Sequence, residues 1–150
     1  MRLVTIDLGG TDVLELGYEK GRAQIQQHLP AVLAALRAAA GPDAPIVGIN
    51  YYNPFVVVWF DDTALAHALV DVGVQSNNDL EAIYTAAGLA VADVEAAFST
   101  TDFTIQPDGL PLNVQRLCQW TLMCAFGDPH PNQEGSGVIA HAFEDVPPDD

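Results

Sequence analysis

Apolar positions along this chain recur with two different periods. Three short runs rich in β-branched residues, over 3–7, 45–50 and 90–94, read as strands. Between them the period lengthens. Leu29, Val32, Leu33 and Leu36 fall at helical spacing, which predicts a helix with one apolar face, entered through Pro30 and stopped at Gly41-Pro42. Pro30 has no amide hydrogen to donate and crowds the preceding turn, so residues 14–28 are expected to form a separate turn or short helix. Over 63–87, Leu65, Leu69, Val72, Ser76, Leu80, Ile83 and Ala87 recur at steps of three or four. Thr63 is the expected N-cap and Gly88 the expected stop, while Gly73 and Asn77-Asn78 weaken the middle. Residues 98–112 read as loop, 114–123 as helix, 127–132 as a turn-rich loop, 134–143 as the last helix and 146–150 as a frayed acidic tail. Strands separated by long helical patterns predict βαβ units and a parallel sheet. The expectation is an α/β three-layer fold in a single domain over 1–150.

Composition acts mainly by exclusion. Twenty acids against five bases give a net charge of −15. The bases are Arg2, Lys20, Arg22, Arg37 and Arg116, too few and too scattered for a phosphate-binding patch, which argues against nucleic acid and anionic membrane surfaces. An apolar fraction of 49% argues against disorder despite the charge. The longest apolar run, over 55–60, is far short of the ~20 residues of a membrane span. The first residues lack the basic, apolar and small-residue regions of a signal peptide and read as a strand that begins at once, so the expectation is that something upstream is missing. Two cysteines, Cys118 and Cys124, by themselves leave free buried thiols and a bridge both open.

In open parallel sheets, sites gather beyond the carboxyl ends of the strands. Three loops qualify. Asp7-Leu8-Gly9-Gly10-Thr11-Asp12 exposes backbone amides around two glycines, as a plain turn also does. Asn50-Tyr51-Tyr52-Asn53-Pro54-Phe55 offers large rings with polar tips, which suit either a cleft wall or packing. Asp128-Pro129-His130-Pro131-Asn132 holds a histidine between two prolines, with a carboxylate near enough to orient its ring; a structural turn is the other reading. The chain has no Gly-x-Ser-x-Gly elbow, phosphate-binding loop or dinucleotide fingerprint. His28, His67, His130 and His141 do not pair at zinc spacing, and His28 and His67 are expected on solvated helix faces. No metal or cofactor is expected.

The three loops together resemble one family. Val4-Thr5-Ile6-Asp7-Leu8-Gly9-Gly10-Thr11-Asp12-Val13 resembles the Gly-x-Asn-Asp block of the SGNH hydrolases, also called GDSL esterases and lipases. Asp128-Pro129-His130-Pro131-Asn132 followed by Gly135 resembles their last block, which carries the catalytic Asp and His. Ala38-Ala39-Ala40-Gly41-Pro42, Ile49-Asn50-Tyr51-Tyr52-Asn53-Pro54-Phe55 and Leu112-Asn113-Val114-Gln115-Arg116 through Trp120 to Cys124 are similar to a secreted actinobacterial branch. The resemblance spans nearly the whole chain. It implies a flavodoxin-like α/β/α sheet, of which this chain matches the last three strands.

The resemblance also implies roles. His130 is the general base, Asp128 holds its tautomer, Thr11 with the Gly10 N–H faces the oxyanion, and Tyr51 and Tyr52 border the acyl or alcohol pocket. Thr11 stands where the family has Asn. The Asp–His spacing is one residue shorter than the family's, which leaves Gly127 at the usual Asp position. The family's Gly-Asp-Ser-Leu block, with its nucleophilic Ser, is not among these residues, and Ser76, Ser99 and Ser136 sit in no such context. The family's cysteine pair implies a Cys118–Cys124 disulfide and an extracellular origin. Unbroken helix from one cysteine to the other would rise about 9 Å, beyond the ~7 Å between Cα atoms that a bridge spans, so the helix is expected to end or bend before Cys124.

The expected activity is hydrolysis of a small-molecule or lipid carboxylic ester through an acyl-Ser intermediate, with the serine outside this chain and the isolated chain weak or inactive. The alternatives are a non-catalytic binding or assembly module that kept the esterase fold, and a truncated product or gene model of a full-length esterase. In the family fold the strand over 3–7 is interior. Lacking a neighbour on one side, with no Pro and no inward Lys, it predicts a homodimer or a partner strand through residues 3–7.

Overall fold

The computed structural model describes residues 3–147; Met1 and Arg2, ahead of the first strand, and Pro148, Asp149 and Asp150, in the expected acidic tail, lie outside the described residues. The chain is α/β. Strands β1 (Val4–Thr5), β2 (Ile46–Ile49) and β3 (Ala90–Ala92) form a parallel sheet in the order β1-β2-β3, with Val4 opposite Ile46 and Val47 opposite Ala90. The helices are α1 (Gly10–Leu16), α2 (Tyr18–Ala40), α3 (Thr63–Ala86), α4 (Val94–Ala97), α5 (Leu112–Trp120), α6 (Met123–Phe126) and α7 (Gln133–Glu144), with a 3₁₀ helix over Pro54–Phe60. Two compact units result. The first takes the described residues of Met1–Asn50, Gln75–Ala92 and Phe143–Asp150, and the second takes Tyr51–Val74 and Asp93–Ala142.

The first unit contains the sheet. Every residue of β2 is buried, as a central parallel strand covered on both faces requires. Helix α2 buries Gly21, Ile25, Leu29 and Leu33, one row at a spacing of four. That row is interrupted neither by Pro30 nor by a break before it. Contrary to the sequence expectation, α2 runs through Pro30, and the helical pattern is instead cut at Gly17, whose φ of 78° and ψ of 163° leave the helix. Pro30 and Gln26, four residues earlier, are exposed, so water can take the carbonyl that proline leaves unbonded. Val32, expected on the apolar face, is exposed as well. At the carboxyl end of β2, the Asn50 amide donates to Glu81 Oε1 at 2.7 Å and its backbone N–H to Ala92 O at 3.2 Å. Burial pushes the Tyr84 phenol up to about 12, and it donates to Leu8 O at 3.2 Å.

The second unit is built on the 3₁₀ helix and on α5. Val56, Val70, Val114 and Leu117 form its buried cluster, with Tyr52, Trp59, Phe103, Cys118 and Met123 packed against it. Asn53 starts the 3₁₀ helix by accepting the Phe55 N–H at 2.9 Å, and its own amide donates to Leu69 O at 2.7 Å. A Cβ on Gly73 would lie 2.6 Å from that amide nitrogen, which explains a glycine inside α3. Asp62, rather than Thr63, caps α3, accepting the Leu65 N–H at 2.9 Å. At its start the buried face of α3 is displaced by one residue from the expected stripe, with Ala66 0% exposed and Leu65 44% exposed, whereas Leu80 is buried as expected. Residues 98–112 are more ordered than a plain loop. Ile105 and Pro111 form an antiparallel bridge, and Gln106 N–H donates to Leu110 O at 2.7 Å.

The sheet and α3 meet closely at Gly48, where an added Cβ would stand 2.7 Å from the Tyr84 ring, itself fully buried. A central strand and a buried ring cannot part without opening the core around them. Gly48→Ala is expected to lower the unfolding free energy by about 1–3 kcal/mol. Urea denaturation measures this directly, and an unchanged midpoint would show that strand and ring separate freely.

Candidate functional site

The second unit brings the sequence-predicted base and its carboxylate together through the way α5 ends. Helix α5 stops at Trp120, and Thr121 is extended at φ −127° and ψ 172°. The buried Thr121 hydroxyl donates back to Leu117 O at 2.7 Å and accepts the Met123 N–H at 3.1 Å, closing one helix and starting the next turn. Here the helix is shorter than the periodicity suggests, since residues 121–123 leave it. The reversal brings the Cα atoms of Cys118 and Cys124 to 5.1 Å, and the two cysteines form a disulfide. The expected bridge is therefore present, with the helix ending before Cys124.

Residues 128–132 attach to this reversal. Leu122 N–H donates to His130 O at 3.0 Å, and Asn132 N–H donates to Trp120 O at 2.9 Å. Thr121 and Pro131 form the isolated bridge between these bonds. Asn132 acts twice more: its amide donates to Gln119 O at 2.7 Å, and its Oδ1 accepts the Gly135 N–H at 3.0 Å as the N-cap of α7. A Cβ on Gly135 would lie 2.0 Å from Trp120 O, so only glycine allows α7 to start this close to the end of α5.

Within that frame Asp128 Oδ1 accepts both the His130 backbone N–H, at 2.9 Å, and the His130 ring Nδ1, at 2.5 Å. A carboxylate only accepts, so Nδ1 carries the hydrogen and Nε2 is the basic nitrogen of the neutral ring. The His130 side chain is 80% exposed and that of Asp128 43%. The backbone N–H of His130, and after it the ring hydrogen bond, hold the Asp128 carboxyl below the usual carboxylate range. Tyr52, distant in sequence, reaches the same loop. Its hydroxyl donates to Pro129 O, and its ring stacks on Phe98 at 4.3 Å between centroids. Phe98 meets Trp120 edge-on at 5.2 Å, and the Arg116 guanidinium lies 5.1 Å over the Trp120 ring.

The remaining sequence candidates are placed as follows. Tyr51 is half-buried in the second unit. Gly10 and Thr11 lie in the first unit, in the opening turn of α1, where Thr11 is exposed. Ser99 Oγ accepts from Arg116, and Ser136 Oγ donates to Asn132 O at 2.9 Å. His28 and His67 are exposed on helices, as expected, and the His67 ring packs on Phe103 at 3.7 Å between centroids. Among the described residues no group of three or more His, Cys, Asp or Glu side chains is arranged to hold a metal, and no helix is long and apolar enough to cross a membrane. Sequence reasoning did not assign roles to Thr121, Asn132 or the Tyr52 hydroxyl. An Asn directly before a helical pattern is an N-cap signal, so one of the functions of Asn132 was readable.

The chain matches no family model, no curated protein and no solved structure.

The depressed Asp128 carboxyl gives a signed pH dependence. A carboxyl held lower in the folded than in the unfolded state contributes stability above its unfolded pKa and loses it as pH falls through its folded pKa. The loop over 128–132 is therefore expected to keep its ring contact through the range in which exposed aspartates titrate, and to lose it only at lower pH. Carboxyl carbon chemical shifts followed by NMR give the midpoint, and a titration of Asp128 together with the exposed aspartates would contradict the geometry.

Proposed function

We propose that this chain carries the acid–base part of an SGNH-type carboxylic ester hydrolase. The observation that supports the reading is the Asp128–His130 pair, joined at 2.5 Å through Nδ1 with the rest of the ring exposed. In this reading His130 Nε2 takes the proton of a serine nucleophile that is not assigned among these residues, and returns it to the leaving alcohol. Asp128 fixes the tautomer and stabilises the imidazolium. Tyr51 and Tyr52, in the same unit as the pair, border the acyl or alcohol pocket of a small-molecule or lipid ester. The proposal carries with it a flavodoxin-like SGNH fold. It also carries an extracellular setting, in keeping with the Cys118–Cys124 disulfide.

Hydrolysis of short p-nitrophenyl esters by the 150-residue chain tests this. Turnover is expected to be very weak, to vanish in His130→Ala and to fall in Asp128→Asn, with circular dichroism unchanged in both. Robust turnover with a serine-directed phosphonate attached to Ser76, Ser99 or Ser136 would overturn it, as would weak turnover indifferent to His130→Ala.

A partner reading rests on β1, which lies at an edge of the sheet with Leu3 and Leu8 exposed beside it. The strand is short, two residues, which limits such pairing, but residues 3–7 carry neither the Pro nor the Lys that commonly blunt an edge. Residues 3–7 are proposed to pair with the same segment of a second copy, antiparallel about a two-fold axis. The chain's net charge of −15 opposes this association. Light scattering is expected to show a dimer or larger species that grows with added salt, which screens the charge. A monomer at both low and high salt would reject it.

A further inference from the structure

The disulfide and the histidine loop share one short piece of backbone. Cys118 and Cys124 close a ring whose intervening residues include Gln119, Trp120, Thr121 and Leu122. Three of these four supply the backbone groups that hold the loop: Gln119 O and Trp120 O accept from Asn132, and Leu122 N–H donates to His130 O. The fourth, Thr121, faces Pro131 across the isolated bridge. His130, through its carbonyl, and Asn132, two residues on, are thus both bonded to a segment whose ends are covalently joined. Cys118 packs against the Val56–Leu117 cluster, whereas Cys124 is exposed. One end of the ring is packed against the core and the other lies at the surface.

We propose that the Cys118–Cys124 disulfide is a latch that positions the His130 loop, and that a dithiol which reduces it releases the loop while the sheet stays folded. In that reaction the dithiol gives two electrons and two protons. The S–S bond breaks, two cysteine thiols remain, and the dithiol closes into its own disulfide. The closed ring limits the conformations open to residues 119–123, so the groups that receive Asn132 and present Leu122 N–H stay in register. Cys118 and Cys124 are positioning residues that act through backbone. The consequence for ester hydrolysis rests on the function proposed above; the latch itself does not.

Native-state hydrogen exchange on the full chain separates the two. Oxidised protein is compared with protein reduced by dithiothreitol and with the Cys118→Ser/Cys124→Ser double variant. The Leu122 and Asn132 amides are expected to lose roughly 10- to 100-fold in protection. The Ile6 and Asn50 amides, which donate to Val47 O and Ala92 O in the sheet, should be unchanged. Equal protection of Leu122 and Asn132 in all three samples would overturn the latch, and so would a parallel loss at Ile6 and Asn50, which would make the bridge a support of the whole fold. In a second check, Asn132→Ala with the disulfide intact should free the Leu122 amide as well; its continued protection would show that the loop is held elsewhere. None of these readouts depends on turnover, so an inactive chain with a working latch and an active chain without one give different results.

Discussion

Helix α5 has to stop at Trp120 for the candidate site to exist. An α-helical carbonyl is taken by the amide four residues on. Had α5 continued through residue 123, as the apolar period suggests, Trp120 O would bond to the Cys124 amide. It could not then accept Asn132 N–H, as it does at 2.9 Å. Leu122 N–H would likewise turn back to Cys118 O and be lost to His130 O. The extended Thr121 removes both competitors at once, and its hydroxyl satisfies the helix end it opens. The disulfide is compatible with this arrangement and incompatible with the continuous helix, because only the reversal brings the two Cα atoms within bridging distance.

The sheet was readable because its three runs differ in kind from the helices around them. All three strands fall inside the expected segments, and the helical patterns between them give parallel pairing. Helix faces were less readable in this chain, and alanine is the reason. In α3 the buried positions include Ala66, while the larger Leu65 beside it is exposed, so counting large apolar residues rotates the start of the stripe by about one position, although Leu80 is buried where that count puts it. Pro30 misled for a different reason. The rule against interior proline assumes that the freed carbonyl is buried or that the kink is unsupported. In α2 Gln26 and Pro30 are both exposed, and the buried row from Gly21 to Leu33 holds the helix.

The candidate site divides along sequence distance. Asp128 and His130 were readable because two residues of separation let one carboxylate serve both the backbone amide and the ring of the histidine. Nothing in the chain before folding says that the hydroxyl of Tyr52 will reach the carbonyl of Pro129, or that Gly135 must lack a side chain because Trp120 O lies in its place. These are consequences of packing between segments far apart in sequence. They are also what turns a short turn into a loop held at several points.

Charge gives the site its remaining constraint. Arg116 is the only Lys or Arg within residues 51–74 and 93–142, and it is engaged with Ala97 O, Ser99 and the Trp120 ring. The Asp128 carboxyl is held low first by the N–H donors of its own loop, with the charge of His130 a smaller contribution, and no arginine or lysine is among the causes. That choice has a chemical consequence. A carboxylate stabilised by a nearby guanidinium would have part of its field cancelled before it could act on the imidazole, whereas one held by amides keeps its full charge directed at His130. Both side chains are open to water, which weakens that field until something covers them. The neighbouring aromatic tier of Tyr52, Phe98 and Trp120 holds the loop in place at its backbone, while the His130 ring itself stays 80% exposed.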